Sequence, residues 1–277
     1  MKINETRGHV FVSFFLFATL LGVLSLPLLT YGENSPTTKP PLLNEVLQKG
    51  TLEIGVSLFT PWTLKNTQGE LVGFEIDVAK QLAKDLGVKP NFHVFEWHDI
   101  VPALLNKKID IIIAGMTITP QRALSLSFSQ PYAESGIGLA TNTKLTQSFT
   151  SLKNLNHPDV ILAAVEGTVA DDVAHRIFPK ATIQVFPSNE KAIHALTTGK
   201  IHGYVADNPI PTFLTHDHPG KIDEPLSNPL LSTKAGFAIN KGNPDFINFL
   251  NAWIIAHEAD TWLTSSHKYW FKSSEWR

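Results

Sequence analysis

Arg122 stands a few residues after the small Gly115 and the hydroxyls of Thr117 and Thr119, and this grouping suits the capture of an anion. A guanidinium carries N–H donors in a planar fork that matches a carboxylate. The elements that must position it are short. Asp110 to Ala114 is a β-branched run that predicts a strand, and Gly115 permits a tight turn or a close approach to the backbone. Thr119 and Pro120 predict a helix start, because Thr caps well and Pro has no N–H to leave unpaired at the first helical position. A strand, a turn and a helix N-terminus thus bring free N–H groups, hydroxyls and one guanidinium together. The same pieces also make an ordinary capped helix with a solvated Arg, and the residues alone leave both readings open.

The chain has 277 residues, 43% hydrophobic and 17% charged, which is the composition of an ordinary globular protein with one large core or two modest ones. A formal charge of −2 and the lack of a basic stripe exclude nucleic acid as an expected partner. With no cysteine there are no disulfides, thiol nucleophiles, Cys-based metal sites or lipid-bearing N-terminal Cys. Lys2 and Arg7 precede an apolar run from Val10 to Leu29, so residues 1–32 read as an export signal cleaved near Gly32. The run approaches the ~20 residues needed to span a bilayer, which keeps an uncleaved anchor as the alternative. Residues 33–42 are polar and Pro-rich and read as a flexible leader.

Further along, short strands alternate with helices. Leu52 to Val56 predicts the first strand, and Ser57 to Trp62 a loop at its C-terminal end, where ligands sit in open α/β folds. Phe59 and Trp62 on that loop suit either a ligand or a neighbouring loop. A helix within residues 69–87 has Val78, Ala79, Leu82, Ala83 and Leu86 at helical spacing, with Glu75 and Asp77 as charges favouring its first turn. Phe92 to Phe95 predicts a strand, Trp97 a loop residue, and Asp99 the cap of a helix through Leu105. Gly136 to Thr141 predicts another strand, followed by a polar region, Asn142 to Asn156, without pattern. Strands are then expected at Val160 to Val165, Thr182 to Phe186 and Gly203 to Ala206, the last ending at Asp207. Helices are expected at Val169 to Ile177, capped by Thr168, and at Glu190 to Thr197. Ser232 to Ile239 predicts a returning strand, and the chain ends in helices. This alternation predicts an α/β fold with parallel sheets. Asp207 by itself could equally cap a helix beginning near Asn208 and Pro209.

The string GMTITPQRA, residues 115–123, followed by FSQPY, residues 128–132, resembles the signature of the family 3 extracellular solute-binding proteins, the amino-acid receptors of ABC importers. GFEIDVAKQLAKDLG (73–87) and HKYWF (267–271) resemble further parts of the family pattern, although Glu75 replaces an Asp and the usual Gly near Asp260 and Thr261 is absent. The resemblance implies a two-lobed periplasmic binding protein fold (type II), each lobe a mainly parallel sheet flanked by helices, with two crossover strands. Lobe 1 would be 43–138 plus 236–277, and lobe 2 would be 139–235. It implies a monomeric periplasmic receptor that needs no cofactor and passes an amino acid to a membrane ABC permease complex. Because relatives in single-membrane bacteria are tethered by a lipid-bearing Cys, the Cys-free chain fits a Gram-negative periplasm.

Carried over residue by residue, the resemblance assigns the ligand α-carboxylate to Arg122, Thr117 and the N–H groups near Thr168 and Val169. It assigns the α-ammonium to Asp207, the Gly115 carbonyl and the Thr117 hydroxyl. Selectivity would come from Val56, Phe59, Trp62, Trp97, Val165 and Ala206. Relatives that bind cationic amino acids carry an acid at the position matched to Val56, and those that bind glutamine carry polar groups at Val56, Val165 and Ala206. All three are apolar here, so the expected ligand is neutral, apolar or aromatic, although Glu166 borders the pocket.

Cyclohexadienyl dehydratases share this fold and are the enzyme alternative. Their catalytic Glu follows the Gly-Thr turn of lobe 2, where this chain has Ala170 with Asp171 adjacent, so the general acid is missing or displaced. A membrane-anchored sensory domain is the other alternative. His216 and His218 are the one suggestive metal pair and lack a convergent third ligand, so no metal is expected. Neither a Gly-x-Ser-x-Gly elbow, a phosphate loop nor a dinucleotide fingerprint is present.

Overall fold

The computed structural model describes residues 40–273, 275 and 276. The expected export signal and most of the leader lie outside them. The described chain begins with α1 (Leu42–Lys49), ended by Gly50 in the left-handed region at φ 67°, and continues into β1 (Thr51–Val56). A ribbon of β2 (Leu64–Lys65) and β3 (Leu71–Val72) precedes α2 (Phe74–Leu86). Next come β4 (Lys89–Val94), α3 (Trp97–Leu105), β5 (Ile111–Ile112), α4 (Pro120–Ala123) and the long β6 (Leu126–Asn142). α5 (Thr143–Thr146) and a 3₁₀ turn, Leu152–Leu155, lead to β7 (Ile161–Val165), α6 (Val169–Ile177), β8 (Thr182–Phe186) and α7 (Asn189–Thr197). β9 (Gly203–Asp207), α8 (Ile210–Asp217), β10 (Ile222–Asp223) and β11 (Leu231–Asn240) follow, and α9 (Pro244–Ala259) and α10 (Trp262–Lys272) close the fold.

The strands run in the order β4-β1-β5-β11-β6-β9-β7-β8. β1 is parallel to β4 and β5 in one lobe, and β7 is parallel to β8 and β9 in the other. Between these groups lie β6 and β11, antiparallel to each other, with β11 also antiparallel to β5 and β6 to β9. Helical crossovers make the parallel groups, and two long strands join them. The ladder between β6 and β11 shifts register on either side of Gly236, opposite Pro131. A proline is tolerated where the ladder is already interrupted, and such irregularities bend a strand. This explains why residues 126–135, punctuated by Gln130 and Pro131, did not read as strand: the expected strand at Gly136 to Thr141 is only the second half of β6.

Each lobe has its own apolar interior. Phe74, Phe237, Leu250 and Trp253 pack between the first group of strands and α2, α9 and α10, while Leu139, Leu162, Val173 and Phe178 pack under α6 in the second. Burying one such side chain contributes roughly 1.5–3 kcal/mol, so each interior carries much of its lobe's stability.

Local readings needed correction in several places. Within the expected strand at Asp110 to Ala114, β5 itself is Ile111 and Ile112, flanked by backbone hydrogen bonds to β1 from Asp110 N to Glu53 O and from Ile113 N to Gly55 O, while the Asp110 carboxylate accepts from Glu53 N and Lys49 Nζ. Trp97 is the first residue of α3, with Glu96 as its N-cap, so Asp99 lies in the first turn and is not the cap. In the region expected to lack pattern, Asn142 caps α5 and Ser151 and Asn154 form a reciprocal capping pair. Glu75 is wholly buried, which no helix-capping charge need be.

Candidate functional site

A cavity opens where β1 and β5 of the first lobe meet β7 and β9 of the second at their C-terminal ends. The first lobe lines it with Ser57, Phe59, Trp97, Gly115, Thr117 and Arg122. From the second come Val165, Thr168, Val169, Asn189, Ala206 and Asp207, with Ala114, Ala170, Tyr204 and Val205 completing the wall.

Arg122 is positioned as its local sequence dictates. Thr119 caps α4, its hydroxyl accepting from Arg122 N at 3.1 Å, with Pro120 in the first helical position. The guanidinium donates to Thr117 O at 3.0 Å and, across the cleft, to Gly167 O at 3.2 Å. Its Cζ lies 5.4 Å from the centre of the Trp97 ring, a cation–π contact. Burial makes Arg122 less basic than usual, while Asp207 and Asp172 pull the other way. Trp97 also reaches the opposite lobe, its Nε1 donating to Gly167 O at 3.1 Å. One carbonyl of lobe 2 is therefore held by two side chains of lobe 1.

Thr168 is the N-cap of α6, accepting from Asp171 N at 3.2 Å and donating to Val165 O at 2.7 Å. The start of α6 at Val169 faces the cavity with the partial positive charge of a helix N-terminus. Asp207 closes β9, and the helix after it is capped by Pro209, so Asp207 is not a helix cap. Burial raises its carboxyl to about 6, against the opposing pull of Arg122 and of a hydrogen bond from its own backbone N–H. A cation-attracting carboxylate and an anion-attracting guanidinium thus face one space from different lobes.

The floor of the cavity corrects two expectations. Gly115 has φ 62°, and a Cβ there would come within 3.2 Å of the Trp62 ring. Trp62 lies beneath Gly115, is 2% exposed and donates from Nε1 to Asn208 O at 3.3 Å, so it supports the floor and does not line the cavity. Val56 is likewise buried in the core of lobe 1, and Ser57 takes the place on the cavity wall expected of it. Successive side chains along a strand point to opposite faces, so a displacement of one residue exchanges core for cavity. With Leu52, Ile54 and Val56 packed toward the interior, Ser57 falls on the cavity side.

Glu75 is the larger surprise. Tyr132 donates its hydroxyl to both Glu75 carboxylate oxygens at 2.8 Å, and Gly115 N donates to Oε1 at 3.0 Å. Burial pushes Glu75 up to about 8, with both donors opposing the rise. The Gly115 N–H is therefore committed to the protein, and its carbonyl is the group left to a ligand. Asp77 departs from the same expectation, accepting from Trp270 Nε1 at 2.7 Å and tying α2 to α10.

Phe59, Trp97, Val165 and Ala206 share one apolar cluster along the cavity. Asn189 and Tyr204 were missed as wall residues. A polar residue at the start of the helix after a strand, as Asn189 opens α7 after β8, was the available signal. The methyl group of Ala170 stands where the dehydratase pattern needs an acid, and Glu166 is exposed. The neighbouring Asp171 carboxylate accepts from Gly167 N at 3.3 Å and lies 3.1 Å from His175 Nδ1. His216 pairs with Asp217 at 2.9 Å, and among the described residues no three His, Cys, Asp or Glu are grouped to hold a metal ion.

Comparison with known proteins places this geometry. The model of the bacterial extracellular solute-binding proteins, family 3, matches residues 52–273. The L-cystine-binding protein TcyJ of Escherichia coli (strain K12) is 26% identical over 256 residues, 91% of this chain and 94% of its own length. The ABC transporter glutamine-binding protein GlnH of Bacillus subtilis (strain 168) is 29% identical over 246 residues, 87% of this chain and 88% of its own. Among solved structures, the ancestral amino-acid-binding protein AncCDT-1, described as a precursor of cyclohexadienyl dehydratase, superposes with a TM-score of 0.76 at 33% identity. It covers 84% of this chain and 100% of its own.

Proposed function

Because the chain belongs to the bacterial extracellular solute-binding proteins of family 3, we propose that it is a periplasmic receptor for a free, neutral L-amino acid, which it delivers to an ABC permease. Relatives named for cystine, glutamine and arginine support the amino-acid class. Lobe 1 is assigned to 43–138 plus 236–277 and lobe 2 to 139–235. The observation that carries the reading is the pair of opposite charges, Arg122 and Asp207, facing one cavity from two lobes. A desolvated zwitterion needs a partner for each charge, and charge-assisted hydrogen bonds contribute roughly 1.5–3 kcal/mol each. Arg122, Thr117 and the start of α6 take the carboxylate, while Asp207 and the Gly115 carbonyl take the ammonium.

The neutral class follows from the walls. Phe59, Trp97, Val165 and Ala206 are apolar, and Ser57 stands on the wall without charge, so a cationic side chain would find no second carboxylate beside Asp207. A thermal-shift screen of the full chain against free amino acids and their amides tests the reading. Stabilisation by a free amino acid should shrink in Arg122→Ala and when the ligand carboxylate is amidated. Stabilisation undiminished by both changes would overturn the site. The dehydratase alternative predicts phenylpyruvate absorbance after incubation with prephenate, and Ala170 argues against it.

A further inference from the structure

Asn189, the first residue of α7, lines two spaces at once. One is the enclosed cavity with Arg122 and Asp207, and the other is an open groove running between the β2–β3 ribbon and α7. Phe59 is also shared by both spaces, so Phe59 and Asn189 form the neck between them. A ligand backbone anchored by Arg122 and Asp207 shares its cavity with this neck and with the apolar wall of Val165 and Ala206.

The polar chemistry of the neck has a direction. Tyr204, buried beneath, donates its hydroxyl to Asn189 Oδ1. Burial and the Asp207 charge hold this phenol well above its ordinary range, so it stays a neutral donor. That bond uses one lone pair of Oδ1, so Asn189, on the wall of the cavity, keeps its two amide N–H donors for a ligand, and the Tyr204 oxygen keeps acceptor capacity. The pair matches a group that both accepts and donates, as a primary amide does. Asn189 is half-buried, and a bare hydrocarbon end would strip water from these N–H groups and return nothing, which disfavours it against an end that hydrogen-bonds. A cationic end would face donors, and the groove beyond carries Lys65, Lys191 and Lys200 against Glu190.

We propose that Asn189 is a specificity-determining residue and that the ligand is a neutral amino acid whose side chain ends in a carbonyl or amide. This inference rests on the amino-acid reading above and narrows its neutral class from hydrocarbon and aromatic ends to hydrogen-bonding ones. Asn189 contacts the ligand side chain, and Tyr204 acts through Asn189 as a positioning residue.

Calorimetric titration of the full chain with L-glutamine, L-asparagine, L-norleucine, L-glutamate and L-lysine tests it. In the wild type the tighter of the two amides should exceed norleucine, glutamate and lysine by at least about tenfold, the value of one hydrogen bond to a site that otherwise stays unpaired. Asn189→Leu should bring that amide within about threefold of norleucine, by weakening the amide and removing the penalty on the hydrocarbon end. Asn189→Asp, which keeps an acceptor for Tyr204, should shift preference toward lysine by about tenfold. Circular dichroism confirms that each variant is folded. An amide-to-norleucine ratio in Asn189→Leu equal to that of the wild type would overturn the assignment of Asn189. Wild-type preference for norleucine, glutamate or lysine would overturn the ligand class while leaving the amino-acid reading standing. If a folded wild type binds none of the five and no other free amino acid in the thermal-shift screen, the amino-acid reading fails and this inference fails with it.

Discussion

In the proposed function a free amino acid brings two charges to the cleft, and the groups assigned to them titrate differently. Arg122 remains charged across any accessible pH, since burial lowers it only from a very high starting point. Asp207, raised to about 6, must be ionised to pair with an ammonium. Ligand affinity should therefore be constant above pH 7 and fall as pH drops through about 6, approaching tenfold per pH unit once the carboxyl is mostly protonated. Titrations of the wild type at pH 5, 6 and 7.5 measure this, and Asp207→Asn should be weak at all three with the slope removed. Arg122→Ala should weaken binding by roughly 10- to 150-fold, the value of one charge-assisted contact of about 1.5–3 kcal/mol, and should move the fall in affinity to higher pH, because Arg122 no longer opposes the rise of the Asp207 carboxyl. Arg122 and Thr119 were legible in sequence because helix capping and first-turn position are local rules. Val56 was misplaced for Ser57 because a one-residue displacement in a strand reverses the face, and only the packing of the interior reveals which face is inward.

Elements connect these residues to the frame. The turn at Gly115 and the long β6 meet at Glu75, which joins α2 to both through Gly115 N and the Tyr132 hydroxyl. Because the folded state raises Glu75 from 4.5 to about 8, it holds the proton more tightly than the unfolded chain does. Stability from this group is therefore fullest below about pH 4.5 and declines as pH rises toward 8. Melting temperatures measured from pH 5 to 8 should fall less steeply in Glu75→Gln than in the wild type, and parallel curves would remove Glu75 from the explanation. On the other side of the cleft, the N-terminal turn of α6 is gripped through Gly167 O by Trp97 and Arg122. Trp97→Phe keeps an aromatic ring near the guanidinium but deletes the indole donor, a loss of about 0.5–1.5 kcal/mol. Stopped-flow release should be faster by about 2- to 10-fold, with the association rate little changed. The role of Glu75 could not be read locally, since a carboxylate in a first turn has the same sequence appearance whether it faces water or is sealed beneath a sheet.

At the scale of the whole molecule, β6 and β11 are the only long strands among the described residues that pass from one parallel group to the other. Movement of the lobes must bend these two strands, and the register shifts around Gly236 lie where such bending is easiest. A ligand whose charges are read by different lobes gains both contacts only when the lobes are together, so binding shifts the population toward closure. Small-angle scattering should show a smaller radius of gyration at saturating ligand, and Asp207→Asn should reduce that compaction at equal ligand concentration. A radius unaffected by ligand would argue that the lobes are held together without it, through Gly167 and the Trp62–Asn208 contact. Sequence by itself determined the alternation of strands and helices, the caps at Thr119 and Thr168, and the first-turn position of Arg122, because each depends on neighbours a few residues away. Only the tertiary structure decided that Ser57 and not Val56 meets the cavity, that Glu75 lies sealed behind Gly115, and that Asn189 stands at its neck with Tyr204. These depend on which faces pack together across the lobes, and burial between segments distant in the chain leaves no local periodicity to read.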